Sequence, residues 1–463
     1  METAIQDETD LTKEGTKTTN TDVLLTDLEN ARRFADRHRK DLRYVGKSKQ
    51  WLVWEGRRWK PDDTGEVQQR AKATVRALYN AAAAIEDLHT RTRHLGFAAA
   101  AQSATRIAGM IRLAESEEGI PVTADQLDAD PWLLNVENGT LDLSTGTLRE
   151  HRQGDLITKI APVEYHPEAP CPTWLAFLDR IMAGDQDRIR YVQKIFGYAL
   201  TGDTREQCFF ILHGIGANGK TTMTTAVAKA VGGYAKHTPT ETLLVKRNDT
   251  IPNDVARLHG ARLVTAAEAE CNRGLAEALV KQLTGGDKIA ARFLHGEWFE
   301  FTPTFKLFLA VNHKPTIHGT DHAIWRRVRL IPFEVTIPDS EQDKALPEKL
   351  EAERAGILRW AVEGCLAWQR EGLGPPEAVT EATAEYRAEM DTVGAFIDEC
   401  CTCDPEGEAT AKRLHERYSQ WCLDHEEKSV SQTDFGARLA EKGFTRGRTK
   451  AKGRFWRGLS VTG

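Results

Sequence analysis

The sequence predicts an α/β protein: a core on a parallel sheet, a mixed α+β domain before it and a small winged-helix domain after it. Three observations predict this. From Phe209 to about Phe333, short apolar runs alternate with helix-like stretches, as strands and helices do in an α/β domain. Upstream, helical and strand-like patterns are mixed. After Val393, three helical stretches precede two strand-like runs around a basic turn, the order of a winged helix. The expected segments are a disordered tail (1–21), an N-terminal domain (22–173), the sheet-bearing core (174–340, with a helical lead-in over 174–208), a helical connector (341–392) and the winged helix (393–463).

Taken in order, Leu24, Leu25, Leu28, Ala31 and Phe34 recur at helical spacing. Leu42–Val45 and the run Trp51–Trp59 read as strands, the second as a hairpin with a Gly turn. Residues 66–116 are Ala-rich and charged and predict two or three amphipathic helices. Asp130–Leu134 leads into Asn138-Gly139, a hairpin turn signal. Trp174–Leu200 is helical, and 341–390 is helical and charged. In the last segment Phe396, Ile397 and Cys400 share one helix. Leu414, Tyr418 and Trp421 share a face of a second, Ser431–Ala440 has the start signal of a third, and Phe444–Gly458 reads as two strands.

Composition narrows the function classes. The 463 residues are 40% hydrophobic and 28% charged, ordinary for a soluble globular chain. A net charge of −6 excludes a basic nucleic-acid coat, so any DNA contact must come from local surfaces. One such surface is Ser431–Gly463, where eight Lys/Arg face two acids, a local balance of +6. Its candidate contacts are Arg446, Arg448, Lys450, Lys452 and Arg454. No window approaches the ~18 apolar residues of a membrane span, and the polar N-terminus has no signal-peptide core, so no membrane partner and a cytoplasmic location are expected. Cys400, Cys401, Cys403 and Cys422 cluster without zinc-type spacing and read as ordinary thiols.

The strongest motif is a phosphate cradle. The apolar run Cys208–His213 leads into Gly214, Ile215, Gly216, Ala217, Asn218, Gly219, Lys220, Thr221 and Thr222, and a helix follows. This strand–loop–helix with G-x-x-x-x-G-K-T turns successive N–H groups and a helix N-terminus toward phosphate. Lys220 should reach the β- and γ-phosphates, and the Thr221 hydroxyl should ligate Mg²⁺. Such a site also needs an acid at the end of a second buried strand. Leu263–Ala267 is that strand, with Glu268 at its end to hold Mg²⁺ and align water, and Glu270 able to share the task. Asn312 ends a third strand, where its amide can act as a sensor of the γ-phosphate or attacking water. Beyond it, Arg326 and Arg327 are candidates for an arginine finger supplied to a neighbour. Between these elements, Ile289–Phe301 has two alternating runs around His295-Gly296, a natural β-hairpin.

The order of these pieces resembles the motifs A, B, B′ and C of superfamily 3 helicases. They are Gly214–Thr222, Ala261–Glu270, the Lys281–Arg292 segment with its Thr-Gly-Gly-Asp, Asn312 and Trp325-Arg326-Arg327. The phage and plasmid type related to poxvirus primase-helicases is most similar, and Asn138–Leu143 and Gly197–Gly202 resemble its pre-helicase region. One departure is Glu268-Ala269-Glu270, where many relatives carry two adjacent acids. The resemblance implies an AAA+-like core and an ATP- and Mg²⁺-dependent DNA helicase of a phage, prophage or plasmid in a bacterial cytoplasm. It implies a ring, usually a hexamer, with ATP sites between subunits and 3′→5′ travel on single-stranded or forked DNA. It also implies a hairpin that grips the DNA backbone, with Arg292, His295 and Lys306 as candidates. No carboxylate triad of a primase stands in residues 1–130, so a separate primase or polymerase is the expected partner. The rival reading is an origin-binding initiator or regulator that uses ATP as a switch without unwinding.

Overall fold

The computed structural model describes residues 25–245, 253–267, 273–294, 296–319, 322–425, 427–449 and 453–462. The chain divides into two compact units, residues 1–55 with 59–126, and 56–58 with 127–463.

In the first unit, the expected helix spans Asp27–His38, its N-terminus capped by the Thr26 hydroxyl, which accepts from the Glu29 amide. It buries Ala31 and Phe34, as the spacing predicts; Leu24 lies outside the described residues. Leu42–Val45, Gln50–Trp54 and Trp59–Pro61 form antiparallel neighbours, and Pro121–Val122 pairs parallel with the first of them. Residues 66–116 supply three helices, Glu66–Ala83, Leu88–Ala101 and Ala104–Ala114. Phe34, Leu42, Val53, Val75 and Met110 share one core.

The second unit is organised by a five-stranded parallel sheet. Its strands are β1 (Phe209–His213), β2 (Ala235–His237), β3 (Leu263–Ala267), β4 (Lys306–Val311) and β5 (Val328–Pro332), in the order β5-β1-β4-β3-β2. Every position of β4 and all but the last of β1 are buried, as a parallel sheet covered on both faces requires. Alternation divides β1 between two cores: Phe210 and Leu212 pack in one, Phe209 and Ile211 in the other. All five strands end at one edge, where chains of this architecture gather their ligands.

Two expected boundaries are corrected. Residues 127–173 do not belong with the N-terminal unit. Leu134, Val136, Leu141, Leu143, Ala161 and Val163 share a core with Phe210 and Leu212, so the unit boundary falls at 126/127 rather than 173/174. The Asn-Gly turn is where expected, between antiparallel strands Leu133–Val136 and Gly139–Asp142. Residues 341–392 are not a connector either. Helices α1 (Gln186–Leu200), α2 (Lys220–Val231) and α3 (Glu277–Gly285) precede α4 (Arg354–Glu371), which buries Ile357, Leu358, Trp360, Ala361, Cys365 and Trp368 in the first core. Helices α1 and α4 approach through glycines. A Cβ on Gly197 would lie 2.0 Å from the Cys365 nitrogen, and one on Gly364 would lie 2.1 Å from the Gln193 carbonyl oxygen. Next, α5 (Glu377–Glu389) packs on the sheet side through Val379 and Tyr386.

The C-terminal module has its own core of Val393, Phe396, Leu414, Tyr418, Phe435, Leu439, Trp456 and Leu459. The three expected helices are Thr392–Cys400, Ala411–Asp424 and α6 (Gln432–Glu441). The two expected strands are Thr445–Thr449 and Gly453–Val461. An unexpected third strand, Cys401–Thr410, pairs antiparallel with the last.

Candidate active site

The cradle lies between β1 and α2, as the motif requires. Gly216, Ala217 and Gly219 all have positive φ, which folds the loop back over the start of the helix. At Gly219 (φ 82°) a Cβ would also stand 2.6 Å from the Ile181 Cγ2, so glycine is demanded twice. Ile215 stands out in solvent, whereas Asn218 and Lys220 are buried.

Lys220 is the centre of the site. Its Nζ donates to the Gly214 carbonyl at 2.6 Å, to Asn218 Oδ1 at 2.9 Å and to Asn312 Oδ1 at 3.1 Å. Burial in this pocket pushes its pKa down from 10.5 to about 8. Asn312 follows β4 directly, and β4 lies beside β1. This adjacency brings two predicted residues together across 92 positions of sequence. Among the described residues, the Asn218 Nδ2 is buried without a hydrogen-bond partner beside the cradle. The same edge receives the end of β3, since Ala267 pairs with Ala310 and Ala310 with Leu212. Glu268 and Glu270 lie outside the described residues.

Thr221 and Thr222 open the first turn of α2 onto a cleft of about 180 Å3. Thr225, Ala226 and Lys229 line it from α2, and Pro347, Leu350, Glu351 and Arg354 line it from the opposite wall. A Lys229–Glu351 ion pair of 2.9 Å lies along it. The cradle amides, the Asn218 Nδ2 donor and an ammonium with two side-chain acceptors that can exchange fit a polyphosphate, and the Thr221 hydroxyl fits a phosphate-bound Mg²⁺. Sequence reasoning missed the cleft, because its walls come from helices over 100 residues apart.

Arg326 and Arg327 lie at the other edge of the sheet. Phe209 at the start of β1 donates its amide to the Arg327 carbonyl at 2.9 Å, so a strand length of roughly 13 Å separates them from the cradle of their own chain. Arg327 is buried and donates to the Ala323 carbonyl at 2.6 Å. Arg326 is exposed and donates to Gln207 Oε1 at 3.3 Å.

The expected hairpin is present, Ile289–Arg292 paired with Trp298–Phe301. Arg292 lies over the Trp298 ring at 5.1 Å; His295 lies outside the described residues. Lys306 is a correction. It was expected at a DNA surface, yet it is 1% exposed. Its Nζ donates to the carbonyls of Thr201, Asp203 and Thr304 and lies 4.5 Å from the Tyr198 ring centre. Burial holds its pKa well below the ordinary lysine value. It braces the end of α1 and touches no solvent-facing groove.

In the C-terminal module Arg446, Arg448 and Arg454 are exposed, and Arg448 pairs directly across from Arg454. Like charges at opposite positions are unfavourable in isolation. Lys450 and Lys452 lie outside the described residues. Not every basic residue of the +6 segment is available to DNA. Arg438 is buried and donates to the His318 carbonyl at 2.7 Å, and Lys442 pairs with Asp391. No helix among the described residues is long and apolar enough to cross a membrane.

Comparison with known proteins agrees with this arrangement. A family described as D5 N terminal like matches residues 31–183, and one described as Poxvirus D5 protein-like matches residues 388–456. A family of unknown function matches 212–327, the stretch holding the cradle, Asn312 and the two arginines. A protein of Acanthamoeba polyphaga mimivirus named "Putative helicase" is 29% identical over 58% of this chain and 30% of its own length. A Frog virus 3 protein with the same kind of name is 24% identical over 65% of this chain and 40% of its own. An African swine fever virus protein named "Putative primase" is 26% identical over 68% of this chain and 35% of its own. The chain thus spans less than half the length of these relatives. A solved structure of the NrS-1 C-terminal region covers 93% of this chain and 99% of that one, with TM-score 0.49 and 11% identity. The chain therefore carries D5-type domains before and after the cradle, and it is a relative of viral proteins named as helicases and primases.

Proposed function

We propose that this chain is an ATP-driven DNA helicase motor of the superfamily 3 type, acting in replication of a phage, prophage or plasmid. The observation that carries the reading is the contact of Lys220 with Asn312 at the edge where all the strands end. When a triphosphate enters, its oxygens replace the side-chain amides of Asn218 and Asn312 around Lys220, and Asn312 is released to hydrogen-bond the γ-phosphate or the attacking water. Thr221, with Glu268, would hold Mg²⁺, which neutralises phosphate charge. Glu268, with Glu270 as the second candidate, would align the water. The cleft beyond Thr222 takes the nucleoside end.

The strand order β5-β1-β4-β3-β2 supports an AAA+-like core. Arg326 and Arg327 face away from their own cradle, which supports a ring in which a neighbour receives the finger; hexamers are the expected form. Arg326 is the better finger, since it is exposed whereas Arg327 is buried. The C-terminal order of helices and strands supports a winged helix, with Arg446, Arg448 and Arg454 set toward duplex phosphates. Single-stranded and forked DNA are the proposed substrates, with 3′→5′ travel, and a separate primase or polymerase is the proposed partner.

The test is a DNA-stimulated ATPase and strand-displacement assay on forks with either tail free. The wild type should hydrolyse ATP faster with single-stranded DNA and separate the fork, and Lys220→Ala should do neither. A wild type that binds ATP and DNA but never separates strands would sink the helicase reading and favour an ATP-switched initiator.

A further inference from the structure

Residues 313–319 lead from Asn312 toward Arg326 and so join two of the groups assigned to ATP turnover above. This stretch is held from three directions. From α3, Glu277 Oε1 accepts the amides of His318 at 2.7 Å and Gly319 at 2.8 Å. From α5, the Tyr386 hydroxyl donates to the Pro315 carbonyl, and Lys314 pairs with Glu389 at 2.7 Å. From the C-terminal module, Arg438 donates to the His318 carbonyl at 2.7 Å. The hold extends to the finger segment. Trp325 Nε1 donates to the Gly319 carbonyl at 2.9 Å, and its ring meets Tyr386 edge-on at 5.2 Å.

Arg438 is not placed as a DNA-reading residue would be. It belongs to α6, which follows Ala411–Asp424 as the second helix of a helix-turn-helix pair, the one that enters the major groove. A helix lying between phosphates needs positive charge. The exposed positions of α6 are Gln432, Thr433, Asp434, Ala437, Ala440 and Glu441, with no cation among them. The one cation of the helix, Arg438, is 8% exposed and turned onto a carbonyl of the motor. Just past the helix, Lys442 pairs with Asp391, where motor and module join. This helix docks.

The backbone of His318 is thereby divided between the two parts: its amide is bound by α3 and its carbonyl by the module. A guanidinium on a buried carbonyl makes a charge-assisted bond, stronger than a neutral one. If α6 shifts, it must carry residues 313–319 with it or break that bond.

We infer that Arg438 is a positioning residue of the ATP site. Through His318 the C-terminal module fixes the stretch that sets Asn312 at one end and Arg326 at the other. The module is therefore a working part of ATP turnover as well as a DNA contact. This rests on the ATP-motor reading above and adds a residue to it from outside the matched motifs.

The test is steady-state ATP hydrolysis by the full-length protein with single-stranded DNA present. Arg438→Ala should lower kcat by about ten- to a hundredfold, the scale of a misplaced catalytic group. KM for ATP should hold within about twofold, because Lys220 and the cradle are untouched. Arg438→Lys keeps a charged donor and should restore most of kcat. Tyr386→Phe, which loosens the same stretch from α5, should lower kcat by a smaller factor. Equal kcat in wild type and Arg438→Ala overturns the inference and leaves the motor reading standing. So does a rise in KM at unchanged kcat, which would place Arg438 in nucleotide binding. A fall in kcat that Arg438→Lys does not recover also overturns it, by making Arg438 a brace of the module's own fold. If the wild type hydrolyses no ATP, the motor reading itself fails, and the inference with it.

Discussion

Two lysines lie buried at opposite edges of one parallel sheet, each held by three oxygen acceptors. Lys220, after β1, faces a backbone carbonyl and two side-chain amides. Lys306, at the start of β4, faces three backbone carbonyls near the end of α1. The acceptors separate the roles. Amide side chains rotate away when a better set of oxygens arrives, so Lys220 is free to change partners. Backbone carbonyls do not leave without unfolding something, so Lys306 works as a fixed brace. A buried lysine is read by what holds it rather than by its burial.

The sharpest way to break this comparison is to remove each ammonium in turn. Lys306→Met should cost about 2–4 kcal/mol by stranding buried carbonyls, seen as a lower midpoint in denaturant unfolding. Lys220→Met should move that midpoint far less, although on the proposed function it should stop hydrolysis. If the two variants lose stability equally, the distinction between brace and exchangeable cradle is wrong.

The same contrast recurs between the two arginines. Arg327→Ala should destabilise by about 1–3 kcal/mol, because it is buried and bonded within its chain. Arg326→Ala should stay within about 0.5 kcal/mol of wild type. It should nevertheless slow ATP hydrolysis by about a thousandfold, and mixing it with a Lys220 variant should recover part of the rate. No recovery at any ratio argues against a finger in trans.

The smallest effect is in pH. The folded pKa of Lys220, about 8, lies below its ordinary 10.5. Between these values the unfolded chain holds more protons, so the stability of the empty protein should rise with pH across that window; the penalty is full below about 8. Nucleotide phosphates favour the charged form. Binding of a non-hydrolysed ATP analogue should therefore weaken as pH rises past about 8, by less than tenfold per unit, with proton uptake measurable by calorimetry in two buffers. Uptake that persists in Lys220→Ala would assign the proton elsewhere.

Much of this site is legible in the amino-acid sequence. The apolar run of β1, the glycine spacing of the cradle and Asn312 at a strand end are local signals, and local signals survive folding. The ten-residue strand Cys401–Thr410 is not legible, because Pro405, Gly407 and a register shift between Cys403 and Glu408 erase its alternation. The boundary near residue 126 is hidden because Trp132 stacks on Trp368, a pairing that no local window contains. Lys306 is misplaced for the same reason: its carbonyls come from Thr201, Asp203 and Thr304, and only Thr304 is near it in sequence. Arg438 counts as surface charge in the sequence because a charge tally has no knowledge of burial.

The triple hold on Lys220 also decides what the empty cradle ignores. An isolated anion such as inorganic phosphate would bring one short set of oxygens and would have to displace both side-chain amides to reach the ammonium. On the proposed function, a triphosphate would reach it while also spanning the amides of residues 214–221 and sending its nucleoside toward the cleft beyond Thr222. The resting loop would thus be its own competitor, a latch that simple phosphate is too small to lift and that a longer key would open.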